Sequence, residues 1–324
     1  MELIKTKKIA VVGAGGWGRN HIRTLAELDC LGGVIDSDKI ILDELSTNYK
    51  GISIFTNLED ALQINFDGFI VATPSETHYE IGKKIIQNGF HVLIEKPLCL
   101  YPNQAEELIE LADSNNINLM VGHVLLFHPA IQKIKETIQL GVIGDLQYIY
   151  SNRLNLGVVR TKENVFWSLA PHDISIFNDI INSEIKKVES FGSDIIQEGI
   201  QDSTITSIKY VNGVSAHIFV SWLHPFKEHR IVIVGSKGML SFEDSSEKKN
   251  ILYYPKSIKL YDGVPMKEDG ETKVIDYDSG FPLTRELIYF INNLESGFGI
   301  ANGASALDVI KVLDVASNIL NKDG

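Results

Sequence analysis

A short apolar run, Lys8–Val12, stops on Gly13-Ala14-Gly15-Gly16-Trp17-Gly18, and an amphipathic segment follows at once. Glycines at that spacing restrict the chain to a strand, a tight turn and a helix. The first glycine permits the turn, the second lets a pyrophosphate approach the backbone, and the third lets the helix pack close to the strand. The helix N-terminus then offers free N–H groups and the positive end of its dipole to the phosphates. Asp36 ends the second apolar run, where a carboxylate would accept hydrogen bonds from the adenosine ribose hydroxyls. The expected cradle is therefore Gly13, Ala14, Gly15, Gly16, Trp17 and Gly18, with Asp36 and Ser37 beside the ribose. A 2′-phosphate would meet the Asp36 charge, and although Lys39 stands nearby no Arg follows, so the expected cofactor is NAD rather than NADP.

The alternation continues. Leu31–Ile35, Ile52–Phe55, Gly68–Ala72, His91–Ile94 and Leu119–Val121 are compact apolar runs separated by helical patterns. Start signals precede those helices: Asn57 before Leu-Glu-Asp-Ala-Leu, Ser75 and Thr77 before Glu80, and Asn103 three residues before Glu106. Strands alternating with helices predict a doubly wound parallel sheet covered on both faces.

From about Gly144 the periodicity changes to two. Leu146–Asn152, Val188–Phe191, Ser203–Tyr210, Val214–Trp222, Arg230–Val234 and Met239–Phe242 read as strands. Val211-Asn-Gly-Val214 reads as a two-residue hairpin turn with positive φ at both central positions, and Gly235-Ser-Lys-Gly238 as another tight turn. Helices are expected near His172–Asn182, Leu283–Leu294 and Ala304–Leu320, whereas Glu243–Ser279 is charged, turn-rich and hard to assign. The expected fold class is α/β plus α+β. A Rossmann domain over residues 1–123 precedes a domain over 124–324 built on an open, mostly antiparallel sheet, with the final helix able to pack back on the first domain.

Composition narrows the function. The chain of 324 residues carries 30 Lys and Arg against 42 Asp and Glu, a formal charge of −12. That balance argues against general binding to a nucleic-acid backbone. Two cysteines, Cys30 and Cys99, give neither a disulfide framework nor metal-ligand spacing, so no metal is expected and a reducing compartment fits. The N-terminal residues lack a signal-peptide core, and the most apolar stretch, Asn118–Gln132, is interrupted by His123, His128 and Pro129. These features point to a cytoplasmic protein without a membrane partner.

Candidate chemistry clusters at predicted strand ends. Ala72-Thr73-Pro74 lies where open α/β sheets bind ligands, so the Thr73–Pro74 backbone is expected to line the cofactor. His78 is a further candidate on that side, although its plainer reading is a solvated surface residue, with Ser75 as a helix cap. Glu95-Lys96-Pro97 ends the fifth strand. A lysine beside an oxidised nicotinamide would have its pKa lowered, and it could hydrogen-bond a substrate hydroxyl and assist its deprotonation. Asn152-Arg153-Leu-Asn155-Leu-Gly-Val-Val-Arg160, followed by Asn164-Val-Phe-Trp167-Ser168-Leu-Ala-Pro-His172-Asp-Ile-Ser175, concentrates Arg, Asn, Trp and His on one connection. Loops on a rigid scaffold tend to carry binding groups. His172, in the first turn of a helix, is a proton-transfer candidate, and Arg153 and Arg160 could each hold a carboxylate or phosphate by two parallel hydrogen bonds.

Taken together, the glycine loop, Ala72-Thr-Pro74, Glu95-Lys-Pro97 and Trp167-Ser-Leu-Ala-Pro-His172 resemble the Gfo/Idh/MocA family of nicotinamide-dependent sugar oxidoreductases in order and spacing. Gly122-His-Val-Leu-Leu-Phe-His-Pro-Ala130, running on to Gly141-Val-Ile-Gly144, resembles that family's crossing between domains. Within the family the resemblance is to nucleotide-sugar 3-dehydrogenases, which oxidise C3 of UDP-N-acetylglucosamine or its 6-carboxylate for surface-polysaccharide sugars. It implies that Lys96 and His172 are the catalytic pair and that Trp167 lies near the nicotinamide. Glu95 is expected beside the cofactor, and Lys96, Arg153, Asn155, Arg160, Ser168 and His172 are the expected sugar-nucleotide binders, with a plain surface reading of Arg160 standing beside its binding role. The resemblance also implies a homodimer or homotetramer, consistent with an open sheet face that self-association would cover. Many sugar dehydrogenases of the family carry Asp four residues before the histidine. Ser168 stands there instead, which argues against a simple inositol or glucose dehydrogenase. Two alternatives stay open: another sugar oxidoreductase of this fold, such as a 3-keto nucleotide-sugar reductase or a cyclitol dehydrogenase, and a dinucleotide-sensing protein without turnover.

Overall fold

The computed structural model describes residues 7–321, so the first six residues, on which the expectation about a leader partly rests, lie outside the described part. The chain divides into two compact units. One comprises the described residues up to Phe127 together with Gly280–Lys311, and the other comprises His128–Ser279 with the described residues from Val312 onward. The first unit thus takes in a C-terminal stretch that the sequence division at 123/124 assigned to the second domain.

In the first unit, β1 (Ile9–Val12), β2 (Leu31–Ile35), β3 (Ser53–Phe55), β4 (Gly68–Val71), β5 (Val92–Glu95) and β6 (Leu119–Gly122) form one sheet in the order β3-β2-β1-β4-β5-β6. Every pairing is parallel. Continuous apolar strands such as Ile9–Val12 and Val92–Ile94 are buried along their whole length, as a sheet covered on both faces requires. The connecting helices are α1 (Gly16–Glu27), α2 (Lys39–Asn48), α3 (Leu58–Ala61), α4 (His78–Gln87) and α5 (Pro102–Ser114). Strand order reverses between β1 and β4, so the loops after β1, β4 and β5 share the carboxyl edge at the switch point, where such sheets bind ligands.

Local start signals hold unevenly. Asn57 caps α3, its side chain accepting the Asp60 N–H at 2.9 Å. Asn103 caps nothing, because α5 starts at Pro102 after Tyr101. Ser75 is likewise not a cap; it opens a short 3₁₀ turn whose cap position is Pro74.

The second unit opens with α6 (Pro129–Gln139) and β7 (Leu146–Leu154), followed by α7 (Val165–Leu169) and α8 (Pro171–Ile181). Then come β8 (Ile185–Ser193), β9 (Ser203–Tyr210), β10 (Ser215–Ser221), β11 (Glu228–Gly235), β12 (Met239–Glu243), β13 (Ile251–Tyr254), β14 (Ser257–Tyr261), β15 (Val264–Glu268) and β16 (Lys273–Ile275). Eight of these strands form a sheet in the order β16-β13-β12-β11-β7-β10-β9-β8, and β14 and β15 form a separate hairpin. The sheet is mixed: β7 and β10 pair in parallel at its centre, and all other neighbours are antiparallel. Helices α7 and α8 pack on β7, β9 and β10. The opposite face leaves Phe191 and Ile205 exposed in direct register.

The Asn212-Gly213 turn forms between β9 and β10, but only Gly213 has positive φ, at 91°. The Val214 N–H donates to the Asn212 side chain instead, so a longer turn replaces the expected two-residue one. Two helices close the chain, α9 (Pro282–Asn292) and α10 (Gly303–Leu320); α9 packs on α1 and on the Val124–Phe127 turn. Among the described residues, no helix is long and apolar enough to cross a membrane.

Candidate functional site

Gly13 adopts φ +95°, and a Cβ on it would lie 2.8 Å from the Ala72 carbonyl oxygen. A Cβ on Gly18 would collide with the Gly13 carbonyl, so the third glycine brings helix and strand together as its spacing predicts. Nothing lies within 4 Å of a Cβ placed on Gly15 or Gly16, which leaves the outer side of the loop open. No side chain caps α1, whose cap residue is Gly15, so its first-turn N–H groups keep no internal acceptor of that kind. This cradle fits a dinucleotide pyrophosphate.

Asp36 Oδ2 accepts the Ala14 N–H at 2.7 Å and Oδ1 accepts the Asp38 N–H at 2.9 Å. The carboxylate therefore ties the glycine loop to the end of β2; Ser37 beside it is exposed. Asp36→Asn should weaken NAD binding about tenfold, since hydrogen bonds to charged groups are worth ~1.5–3 kcal/mol, and should improve NADP relative to NAD. Titrating both dinucleotides against the variant checks this.

The loops after β4 and β5 are tied together from inside. His78 is buried rather than solvated, with Nδ1 2.8 Å from the Pro97 carbonyl oxygen and Nε2 2.9 Å from that of Thr73. The plain surface reading of His78 is thus corrected. Its ring braces the Ala72-Thr-Pro74 segment against Glu95-Lys-Pro97 at the sheet edge. Glu95 also points inward. Its carboxylate accepts the Trp17 indole N–H and the Lys96 backbone N–H, the latter at 3.1 Å, and lies 2.7 Å from His21 Nε2. Lys96 itself is half-buried at the carboxyl end of β5.

Two further groups, neither assigned a role from the sequence, feel the Glu95 charge. His123, just after β6, is buried, and burial drives its pKa down to about 4. Glu286 on α9 is wholly buried, and desolvation followed by the Glu95 charge raises its carboxyl well above the usual range.

In the second unit, the end of β7 carries Asn152 and Arg153. Asn152 donates to Glu228 at 2.9 Å. Arg153 makes a bidentate pair with Asp173, at 2.8 Å through Nε and 3.1 Å through an Nη, and Asp173 stands next to His172 in the first turn of α8. The fork expected to grip a sugar anion is therefore committed to an internal carboxylate, which keeps the guanidinium charged despite its burial. His229 on β11 lies opposite Arg153 in register; burial, then the Arg153 charge, pushes its pKa down to about 4.

Trp167 donates its indole N–H to Ser317 Oγ of α10 at 2.7 Å. Arg160 is exposed with Glu163 3.8 Å away, and its carbonyl accepts from Gln197. Asn155 and Ser168 are half-buried, the Asn155 N–H donating to the Ser221 carbonyl and the Ser168 N–H to that of Asn164. His172 is half-buried and accepts the Ser175 hydroxyl on its carbonyl oxygen at 2.8 Å. Among the described residues, no group of three or more His, Cys, Asp or Glu side chains is placed to hold a metal ion.

Comparison with known proteins agrees with this architecture. Residues 7–123 match the oxidoreductase family model for an NAD-binding Rossmann fold, and residues 131–241 match the GFO/IDH/MocA C-terminal domain. The chain is 26% identical over 288 residues to a UDP-N-acetylglucosamine 3-dehydrogenase from Acidithiobacillus ferrooxidans, covering 88% of each protein. A solved structure of that enzyme superposes with a TM-score of 0.86 over 98% of this chain and 99% of that one, at 22% identity. The WlbA dehydrogenase from Bordetella pertussis, solved with NADH and UDP-GlcNAcA, shares the fold with a TM-score of 0.78 at 18% identity, covering 99% of this chain and 98% of its own. A scyllo-inositol 2-dehydrogenase (NAD(+)) from Bacillus subtilis is 25% identical over 251 residues, 72% of each chain. With an NAD-binding Rossmann domain followed by the matching C-terminal domain, the chain is an oxidoreductase of the Gfo/Idh/MocA family.

Proposed function

We propose that the chain is an NAD-dependent dehydrogenase that oxidises the C3 hydroxyl of a UDP-N-acetyl sugar, UDP-N-acetylglucosamine or its 6-carboxylate, for surface-polysaccharide precursors. The observation that carries this reading is the relationship to a UDP-N-acetylglucosamine 3-dehydrogenase along 88% of the chain, together with the place of Lys96 at the carboxyl end of β5, next to the Glu95 that bonds the glycine loop. Bound NAD supplies the hydride acceptor. Lys96 and His172 handle the O3 proton, one as base and the other as hydrogen-bond partner of the hydroxyl. The pair between Arg153 and Asp173 fixes the first turn of α8 and so sets the His172 backbone, while the exposed Arg160 is left to meet substrate phosphate or carboxylate.

The open sheet face, with Phe191 and Ile205 in register, supports self-association into a dimer or tetramer. Light scattering at micromolar concentration should therefore report more than one chain per particle, and a monomer would contradict this part of the reading. The substrate assignment is tested with a panel of UDP- and dTDP-sugars and inositols, followed by the rise in reduced-nicotinamide absorbance. UDP-N-acetyl sugars should give the highest kcat/KM. Turnover confined to an inositol would replace this reading with a cyclitol dehydrogenase, and NAD binding without turnover on any sugar would favour a sensor.

A further inference from the structure

Glu286 is an acid in the wrong place for an ordinary helix. It lies on the face of α9 formed by Leu287, Ile288, Phe290 and Ile291, with no exposed surface, and neither carboxyl oxygen has a hydrogen-bond partner among the described residues. Both ring nitrogens of His123 and Nδ1 of His21 are also buried without a partner. His21 touches a single well-served carboxylate, Glu95, which also takes the Trp17 indole and the Lys96 N–H, and His123 and Glu286 both lie close enough to feel its charge. The approach is close enough that a Cβ on Gly122 would lie 2.9 Å from the Glu95 carboxyl group. Two carboxylates in one buried region cannot both be ionised without a counter-charge. Among the described residues donors converge on Glu95 and none on Glu286, so a negative charge is better served at Glu95.

We propose that Glu286 is a positioning residue for the Glu95-Lys96-Pro97 turn, holding a proton so that Glu95 stays the one charged carboxylate and keeps its grip on Trp17 and the Lys96 backbone. Glu95 thereby links the glycine loop that cradles NAD to the strand end that carries Lys96. Should Glu286 lose its proton, the second charge would repel the Glu95 carboxylate from its donors and loosen loop and turn together. Helix α9 packs on α1, which carries Arg19, His21, Arg23 and Glu27, and on the Val124–Phe127 turn, which carries no titratable side chain; of these four groups only His21 is buried, and Arg285 is the neighbour of Glu286 on α9. His123 is neutral near pH 7, because its burial holds its pKa near 4, so it offers no balancing charge. The consequence for turnover rests on the dehydrogenase reading; the consequence for the cofactor does not.

The test needs no sugar substrate. Infrared difference spectra of the full-length protein at pH 7, wild type minus Glu286→Gln, should show a protonated-carboxyl band that the variant lacks. In Glu95→Gln that band should disappear at a lower pH than in wild type, by roughly one unit, because the neighbouring negative charge is gone. NAD affinity of the wild type should fall on the alkaline side as Glu286 ionises, whereas Glu286→Gln should show no such fall. A wild type without the band at pH 7, or NAD affinity curves that superimpose from neutral to alkaline pH, would overturn the proposal. If Glu286→Gln does not fold, the Glu95→Gln shift decides alone, and an unshifted band overturns it. A protein that passes these tests yet turns over no sugar refutes the substrate assignment and leaves this inference intact.

Discussion

Lys96→Ala should lower kcat on a UDP-N-acetyl sugar by about 10²–10⁴-fold, the range for a positioned acid–base group, while NAD affinity stays close to the wild-type value. The division follows from where the lysine sits. The cradle proposed for the dinucleotide is the Gly13–Gly18 loop with Asp36, and Lys96 contributes to its support through the backbone N–H, which alanine retains. In the proposed mechanism the lost side chain is the proton acceptor or its partner, so the cost falls on the chemical step. His172→Asn should lose activity within the same range, again with NAD binding preserved. Single-turnover kinetics with saturating NAD separates chemistry from binding, and two variants that both keep wild-type rates would show that neither residue has the assigned role.

The second large effect is on stability. Arg153 and Asp173 form a bidentate pair in which the two side chains retain only 11% and 3% of their exposure. Arg153→Met strands a buried carboxylate and should destabilise the protein by ~3–5 kcal/mol, the usual cost of breaking one side of a buried pair. Arg153→Met with Asp173→Leu removes both charges and should recover most of that loss, because isosteric apolar replacement of a whole pair is often neutral. Chemical denaturation of the wild type, both single variants and the double variant completes the cycle. Additive losses would show that the two side chains are not coupled. Activity should not return in the double variant, since the pair also sets the turn of α8 that presents His172.

Much of this was visible in the sequence because several segments of both units obey local rules. The runs at Leu31–Ile35 and Ser203–Tyr210 coincide with β2 and β9, since each is bounded by clear turn chemistry. The glycine loop was legible because its spacing is demanded by backbone geometry, and Gly13 and Gly18 occupy positions where any Cβ would clash.

What was not legible depends on distant partners. Strands β13 to β16 escaped notice because β14 and β15 expose nearly every residue and show no alternation. The parallel pairing of β7 with β10 joins segments more than 60 residues apart, which periodicity cannot report. His78 reads as a polar helix start, and only the fold reveals two carbonyl oxygens within reach of its ring. Glu286 sits beside Arg285 and looks like part of a solvated helix face; the apolar Leu287, Ile288 and Phe290 around it were the available hint that the face is buried. Asp173 could have been found from its place beside His172, since an acid in a helix's first turn is common but a buried one requires a cation.

Transfer of deuterium tests the central claim most directly. UDP-N-acetylglucosamine, or its 6-carboxylate, carrying deuterium at C3 should be incubated with the protein and NAD, and the reduced nicotinamide isolated for mass spectrometry. The account predicts reduced cofactor one mass unit heavier than that from unlabelled sugar, together with a slower initial rate. Reduced cofactor free of deuterium, or none at all while an inositol reduces NAD readily, would contradict oxidation at that carbon.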